Sequence, residues 1–301
     1  LENSDWEVIK LKMKPAPFKY HDPQSLSELV ALTATLEDAK ILAGGQSLMP
    51  MMNMRFVTPE DVIDINNVKE LNFIEFSDDF FNIGAMTAQR ELLSSSELRT
   101  VAPILNEALA YVGHFQTRNR GTIGGSLCHL DPAAELPALA SLYDAKMVVL
   151  NKEGQRVVPF DEWSLAYMMP CLAPEAVLVS LSFPKWKLNH GYSFVEFARR
   201  HGDFAICAAG VLIELDKSDI ISKVAITIAG ADVKPIRLKA FELEIVGQKV
   251  NEDLIRSAVE EVKKIETMSD AYYSSLYRKR LSGTLVERAL RKAAERAGGQ
   301  T

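Results

Sequence analysis

The chain has 301 residues, 48% of them hydrophobic and 25% charged, the balance of an ordinary globular protein with length for two or three structural units. A net charge of −6 argues against a nucleic-acid binder, which carries a basic footprint. No apolar run approaches the roughly 18 residues that a membrane span needs. The first residue is not Met and no secretory pattern opens the sequence, so the true start is expected upstream and the protein in the cytoplasm.

In chain order, PAPFKYHDPQSLSELVALTATLEDAKILAGG reads as a strand, a helix and a second strand. Ser25 is placed to cap the helix, with Glu28 three residues on to complete a capping box. Ile41, Leu42 and Ala43 form a short buried strand that stops at Gly44 and Gly45. DVIDIN and FNIGAM give two more strands. Thr87 and Ser96 are expected to cap two helices. In the second, Val101, Ile104, Leu105, Ala108, Leu109 and Val112 share one face. PAAELPALASLYDA predicts a helix that Asp131 would cap, with Glu135 one turn inside it. KMVVL, an NKEG turn and RVVPF predict a hairpin.

From about Leu178 the pattern changes. VLVSLSF, GYSFVEFA, FAICAAGVLIEL and KVAITIAG are successive strand candidates, several of them alternating apolar with polar, as in an antiparallel sheet with one wet face. Two helices follow, one capped by Asn251 and one over residues 270–296. The fold class is α+β, with the division near residue 178.

Two glycine-rich stretches carry the chemistry: AGGQSLMP at 43–50 and GTIGGS at 121–126. Successive backbone N–H groups without Cβ obstruction form a concave nest for phosphate oxygens, and Ser47, Thr122 and Ser126 add hydroxyls. The alternative is two tight turns that need positive φ. No two glycines stand two apart and no Gly precedes Lys, which excludes the G-x-G-x-x-G fingerprint and the P-loop. His129, after the second stretch, is a candidate donor. Cys128, Cys171 and Cys207 lie far apart without a C-x-x-C, so they supply no zinc site and no four-cysteine cluster.

AGGQSLMPMMNMRF followed by RNRGTIGGSLCHLDPAAELP resembles the FAD-binding medium subunit of the molybdenum hydroxylases, the carbon monoxide dehydrogenase and xanthine dehydrogenase type. ARRHGDFAICAAG, ITIAGADVKPIR and YRKRLSGTLVERAL extend the likeness into that family's C-terminal domain. The resemblance implies a vanillyl-alcohol-oxidase (PCMH) type FAD domain over residues 1–178, with subdomains of about 1–65 and 66–178, and a C-terminal domain over 179–301. It implies that Ile41, Leu42, Ala43, Gly44, Gly45, Gln46, Ser47 and Leu48 wrap the FAD diphosphate and ribityl chain. Thr122, Ile123, Gly124, Gly125 and Ser126 would face them, the glycines bare because the cofactor lies against the backbone. Glu135 would bond the cofactor, and Asp203 and Phe204 would reach the isoalloxazine; Phe204 lacks the tyrosine hydroxyl that some relatives have there.

The implied partners are a large molybdopterin-binding subunit and a small subunit with two [2Fe–2S] clusters, in a dimer of heterotrimers. Electrons would pass from molybdenum through the clusters and FAD to an external acceptor. No acid–base pair for substrate and no metal site is expected in this chain. The competing readings are a free-standing FAD-dependent oxidoreductase of the same fold, and a nucleotide-binding scaffold without redox work.

Overall fold

Residues 15–298 are described in the computed structural model, and the order of their elements follows the hydrophobic pattern closely. Strand β1 (Lys19–His21), helix α1 (Leu26–Thr33), strand β2 (Ala39–Leu42), helix α2 (Leu48–Asn53) and strand β3 (Asp61–Asp64) form the first layer. Its three strands run parallel in the order β1-β3-β2, and α2 lies in the crossover from β2 to its parallel partner β3. Ser25 Oγ accepts the Glu28 N–H at 3.2 Å, as expected of the cap. Glu28 Oε2 instead accepts the N–H of Gln24 at 2.7 Å, so the box closes one residue early.

Strands β4 (Ile74–Phe76) and β5 (Phe80–Gly84) open a second sheet, and six short helices follow before it resumes. They are α3 (Gln89–Ser94), α4 (Ser96–Val101), α5 (Pro103–Leu109), α6 (Phe115–Arg120), α7 (Ile123–His129) and α8 (Glu135–Leu142). Strands β6 (Lys146–Asn151) and β7 (Gly154–Pro159) make the expected hairpin. A helical turn, α9 (Phe160–Trp163), and a small hairpin, β8 (Ser164–Ala166) with β9 (Met169–Pro170), lead to β10 (Val177–Pro184). The sheet order is β4-β5-β10-β6-β7. Strand 177–184 therefore lies in the middle of this sheet and not with the C-terminal strands. It is flanked on both edges by other strands, and most of it is buried, so it reads as a nearly continuous apolar run. Phe81 stacks on Phe183 at 5.0 Å between ring centroids, with Tyr143 edge-on to both.

Local expectations fail where a neighbouring residue competes for the helix start. Ala88, not Thr87, is the N-cap of α3, because Thr87 Oγ1 donates to the Phe73 carbonyl and Glu91 accepts the Ala88 N–H. Ser95, not Ser96, caps α4. The apolar stripe from 101 to 112 spans two helices, since Pro103 has no N–H and restarts the chain as α5. Asp131 accepts the Ala133 N–H in a tight turn, and α8 starts at Glu135, its first residue. The stretch 121–126 is mostly helix: Thr122 caps α7, whose first turn holds Gly124 and Gly125, while Gly121 lies before the cap.

The third layer is an antiparallel sheet of β11 (Gly191–Phe197), β12 (Cys207–Leu215), β13 (Ile221–Ala229) and β14 (Ile236–Arg237). It carries α10 (Lys239–Ile245), α11 (Glu252–Lys264) and α12 (Ser275–Arg296). Asn251 caps α11 as expected, and Ser274 caps α12, which starts later than the 270–296 pattern suggests. Neither face of this sheet is wet. Ala208, Leu212, Ala225 and Ala229 join the core beneath α8, while Cys207, Val211, Ile213 and Ile228 pack under the C-terminal helices. Small side chains on the first face let α8 approach, and this face seals the C-terminal sheet against the rest of the molecule.

Candidate cofactor-binding site

Strand β2 ends at Leu42, and the chain must turn sharply before α2. Gly45 makes that turn with φ +73°, the left-handed region where a Cβ is costly. Beyond it, Met49 N–H bonds Gly45 O at 3.1 Å and Met51 N–H bonds Ser47 O at 3.2 Å. The N–H groups of Gly44, Gly45, Gln46 and Ser47 meet no acceptor among the described residues. Gly44, Gly45 and Gln46 border a cleft of about 450 Å³ lined also by Leu42, Ala43, Met49, Pro50, Asn53, Asp64, Asn66 and Arg120.

Polar side chains from β3 and α6 finish the wall. Asn66 Nδ2 donates to Ala43 O at 3.0 Å and to Asp64 Oδ1 at 2.5 Å, while Arg120 Nη2 donates to Asn66 Oδ1 at 3.3 Å. Burial pushes the Asp64 carboxyl up, but hydrogen bonds from Asn66 and Tyr20 and the Arg120 charge outweigh it and hold the group below the usual range. Asp64 therefore stays an acceptor for hydroxyls, and Arg120 is a cation beside unclaimed N–H groups. Hydrogen bonds to charged groups contribute about 1.5–3 kcal/mol each, so this set suits a diphosphate.

The two glycine stretches do meet, but for a different reason from the one their composition suggests. A Cβ on Gly44 would lie 2.0 Å from the Arg120 carbonyl oxygen, and one on Gly124 would lie 2.6 Å from Ala85 O. These glycines are bare because backbone packs on backbone. Gly44 thus points across the seam into the Arg120–Gly121 backbone, and Gly125 points back across it, its added Cβ falling 3.8 Å from that of Ala43. The N–H groups of Ile123, Gly124 and Gly125 are already bonded to Thr87 O, Ala85 O and Thr122 Oγ1. The second stretch thus buttresses the first, and its Ser126 hydroxyl makes no hydrogen bond among the described residues.

Glu135, Asp203 and Phe204 do not line this cleft. Asp203 pairs with Arg199 and Arg200 on the β11–β12 loop, and Phe204 beside it is 77% exposed. That loop rests on the segment before α6, where a Cβ on Gly202 would meet the His114 ring at 2.6 Å. His129 is held below its ordinary value by burial, against the pull of Asp131, and so is neutral near pH 7. Glu135 is 9% exposed, and the Glu196 carboxyl of β11 acts on it, its own Oε2 buried without a hydrogen-bond partner among the described residues. Burial pushes Glu135 up to about 7; burial and the neighbouring carboxyl push Glu196 up to about 8.

This pair makes stability depend on pH. The folded protein holds protons that the unfolded chain, with glutamates near 4.5, releases. The stabilisation is complete below about pH 4.5 and is lost as pH rises through about 7 to 8. The melting temperature is expected to fall across that window, and Glu196→Gln is expected to flatten the fall. Parallel melting curves for both proteins from about pH 6 to 9 would contradict the pairing.

Sequence reasoning missed Asp64, Asn66, Arg120 and Glu196. The first two end the DVIDIN strand and Arg120 immediately precedes Gly121, so a polar residue closing a strand beside a glycine turn was the available signal. Glu196 gave none, because its partner lies 61 positions away in another layer.

A nest of free N–H groups flanked by a cation and hydroxyl acceptors defines a protein that holds a phosphate-bearing cofactor. Residues 16–186 match the family described as FAD binding domain in molybdopterin dehydrogenase, and 192–293 match the CO dehydrogenase flavoprotein C-terminal domain. The alpha subunit of the 6-hydroxypseudooxynicotine dehydrogenase complex of Paenarthrobacter nicotinovorans is 37% identical, over 95% of this chain and 97% of the relative. The carbon monoxide dehydrogenase medium chain of Hydrogenophaga pseudoflava is 34% identical, over 93% and 98%. A solved carbon monoxide dehydrogenase structure from that organism superimposes with a TM-score of 0.90 at 34% identity, covering 94% of this chain and 99% of the other. Quinoline 2-oxidoreductase from Pseudomonas putida 86 gives 0.90 at 31% identity, covering 95% and 99%. The chain belongs to the FAD-binding subunits of the molybdenum hydroxylase family, the carbon monoxide dehydrogenase and xanthine dehydrogenase type. It is a flavoprotein component of an oxidoreductase.

Proposed function

We propose that this chain is the electron exit of a cytoplasmic molybdenum hydroxylase, in which a large molybdopterin subunit and a small subunit with two [2Fe–2S] clusters complete a heterotrimer that dimerises. FAD, when bound, accepts electrons arriving from the clusters and passes them to an external acceptor. The observation that carries the reading is the run of unclaimed N–H groups at Gly44, Gly45 and Gln46 in the cleft that Arg120 also lines. These residues bind and orient; Asp64 and Asn66 take hydroxyls, and α7 braces the seam. No helix among the described residues is long and apolar enough to cross a membrane.

The site is assigned to residues 41–48 and 122–126, with Glu135 on α8 and with Asp203 and Phe204 at the flavin ring; the exposure of Phe204 supports a role for it in covering a ligand or partner. The FAD domain is placed at 1–178, its first 14 residues lying outside the described part, and the C-terminal domain at 179–301. The separate sheets of residues 19–64 and 74–184 support two subdomains, and the pairing of β10 carries the seam to just after Pro184.

Arg120→Met is the first test, because the Arg120 backbone that braces Gly44 is unchanged. FAD titration of the stripped protein is expected to show affinity down about tenfold or more, with little change in melting temperature. Equal affinity would remove Arg120 from the site. Co-purification from the native host is expected to yield molybdenum and iron with the flavin, whereas turnover of an organic substrate by the isolated chain would favour a free-standing oxidoreductase.

A further inference from the structure

Strand β3 ends in the cleft at Asp64, and Asn66 lines it two residues further on. Asp64 Oδ1 accepts the Asn66 N–H at 2.9 Å and Asn66 Nδ2 at 2.5 Å, while Oδ2 accepts the Tyr20 hydroxyl of β1 at 2.8 Å. Asn66 Nδ2 gives its other proton to Ala43 O, and Asn66 Oδ1 accepts from Arg120. A carboxylate offers about four acceptor sites and an amide oxygen about two. Among the described residues, one site on Asp64 Oδ2 and one on Asn66 Oδ1 therefore stay open, on two side chains bonded to each other. Neither side chain has a donor to spare. The Asp64 carboxyl is held ionised, and like charge keeps phosphate oxygens from it. This part of the wall therefore takes neutral hydroxyls, and the phosphates go to the Gly44–Gln46 N–H groups.

Two sugars flank the diphosphate of FAD: the ribityl chain of the flavin half and the ribose of the adenosine half. Leu42, Met49 and Pro50 give the cleft apolar surface for a base, whereas Asp203 and Phe204, assigned to the flavin ring, lie outside it. The half that enters the cleft is then the adenosine half. We propose that Asp64 is the residue that selects the dinucleotide form of the cofactor: with Asn66 it accepts the vicinal hydroxyls of the adenosine ribose, so that FAD is held in preference to FMN, which lacks that ribose. The proposal rests on the assignment of residues 41–48 to the diphosphate. Tyr20, on the strand paired with β3, and Asn66 fix the carboxyl from both of its oxygens. An acidic side chain reads ribose hydroxyls in the same way in dinucleotide-binding α/β folds.

The test is titration of the stripped full-length protein and of its Asp64→Asn variant with FAD, FMN, ADP and 2′,3′-dideoxy-ADP. Asparagine keeps one oxygen for the two Asn66 bonds and removes the charge. The unaltered protein is expected to bind ADP about ten- to a hundredfold more tightly than the dideoxy analogue, the worth of a hydrogen bond to a charged group. In Asp64→Asn, FAD and ADP are each expected to bind about tenfold more weakly, with FMN and dideoxy-ADP unchanged. Equal affinity of the unaltered protein for ADP and dideoxy-ADP would overturn the proposal, whether or not the variant folds. Equal losses for FAD and FMN in the variant, with ADP unchanged, would also overturn it and put the ribityl chain at Asp64. Failure of the site assignment reads differently: undiminished FAD affinity in Arg120→Met takes the diphosphate out of the cleft, and this proposal with it.

Discussion

Replacing Gly44 by alanine is expected to cost the protein both fold stability and flavin. The new methyl would lie 2.0 Å from Arg120 O, 2.7 Å from Arg120 C and 2.9 Å from the Gly121 Cα, all backbone atoms that cannot rotate away. The segment before β3 and the turn after α6 must therefore separate. Overpacking of this kind costs about 1–3 kcal/mol. Separation also displaces the N–H groups that follow Gly44, and losing one hydrogen bond to a phosphate means about a ten- to hundredfold drop in affinity. The flavin-to-protein absorbance ratio of the purified variant and its melting temperature should fall together. Arg120→Met is the contrast, lowering flavin alone. Full flavin content in Gly44→Ala would show that the seam does not shape the site.

The glycines also mark where sequence was informative and where it was not. Composition correctly brought 43–50 and 121–126 together, because close approach is the common reason for stripping side chains from two segments at once. It could not say whether the approaching body was a ligand or the other segment, since both demand the same missing Cβ. The helix at 123–129 was hidden for a related reason: two glycines lower helix propensity, and only the Thr122 cap and the tertiary bonds to Ala85 and Thr87 recover it.

Helix ends failed by one residue where a hydroxyl had a better partner, as Thr87 has in Phe73 O. The place of strand 177–184 was illegible because pairing is non-local: β10 slots between strands that precede it by up to a hundred positions, and its apolar run fits a buried centre in either sheet. By contrast, α11 with its Asn251 cap and the 146–159 hairpin were readable, being set by neighbours within a few residues.

Arg237→Met is expected to destabilise the protein by about 3–5 kcal/mol, the usual loss when one partner leaves a buried ion pair. The Arg237 side chain is 8% exposed and meets Glu242 through two bonds, Nε to Oε1 at 2.9 Å and Nη2 to Oε2 at 2.8 Å. Its Nη1 donates to the carbonyls of Ser141 at 2.6 Å and Leu142 at 3.1 Å, the last turn of α8, where a helix leaves acceptors unsatisfied. The guanidinium thus ties the C-terminal sheet to the end of the same helix whose first residue is Glu135. Its loss strands the Glu242 carboxylate, which still accepts the Ile226 N–H, and orphans two carbonyls. Removing Glu242 as well, in Arg237→Met with Glu242→Leu, should restore part of the stability, because the uncompensated charge is gone while the bare α8 carbonyls remain. Urea denaturation of the two single variants and the double variant measures the coupling. Strict additivity, or a loss below about 1 kcal/mol for Arg237→Met, would mean that solvent reaches the pair and that α8 is held against the C-terminal sheet by its apolar face alone.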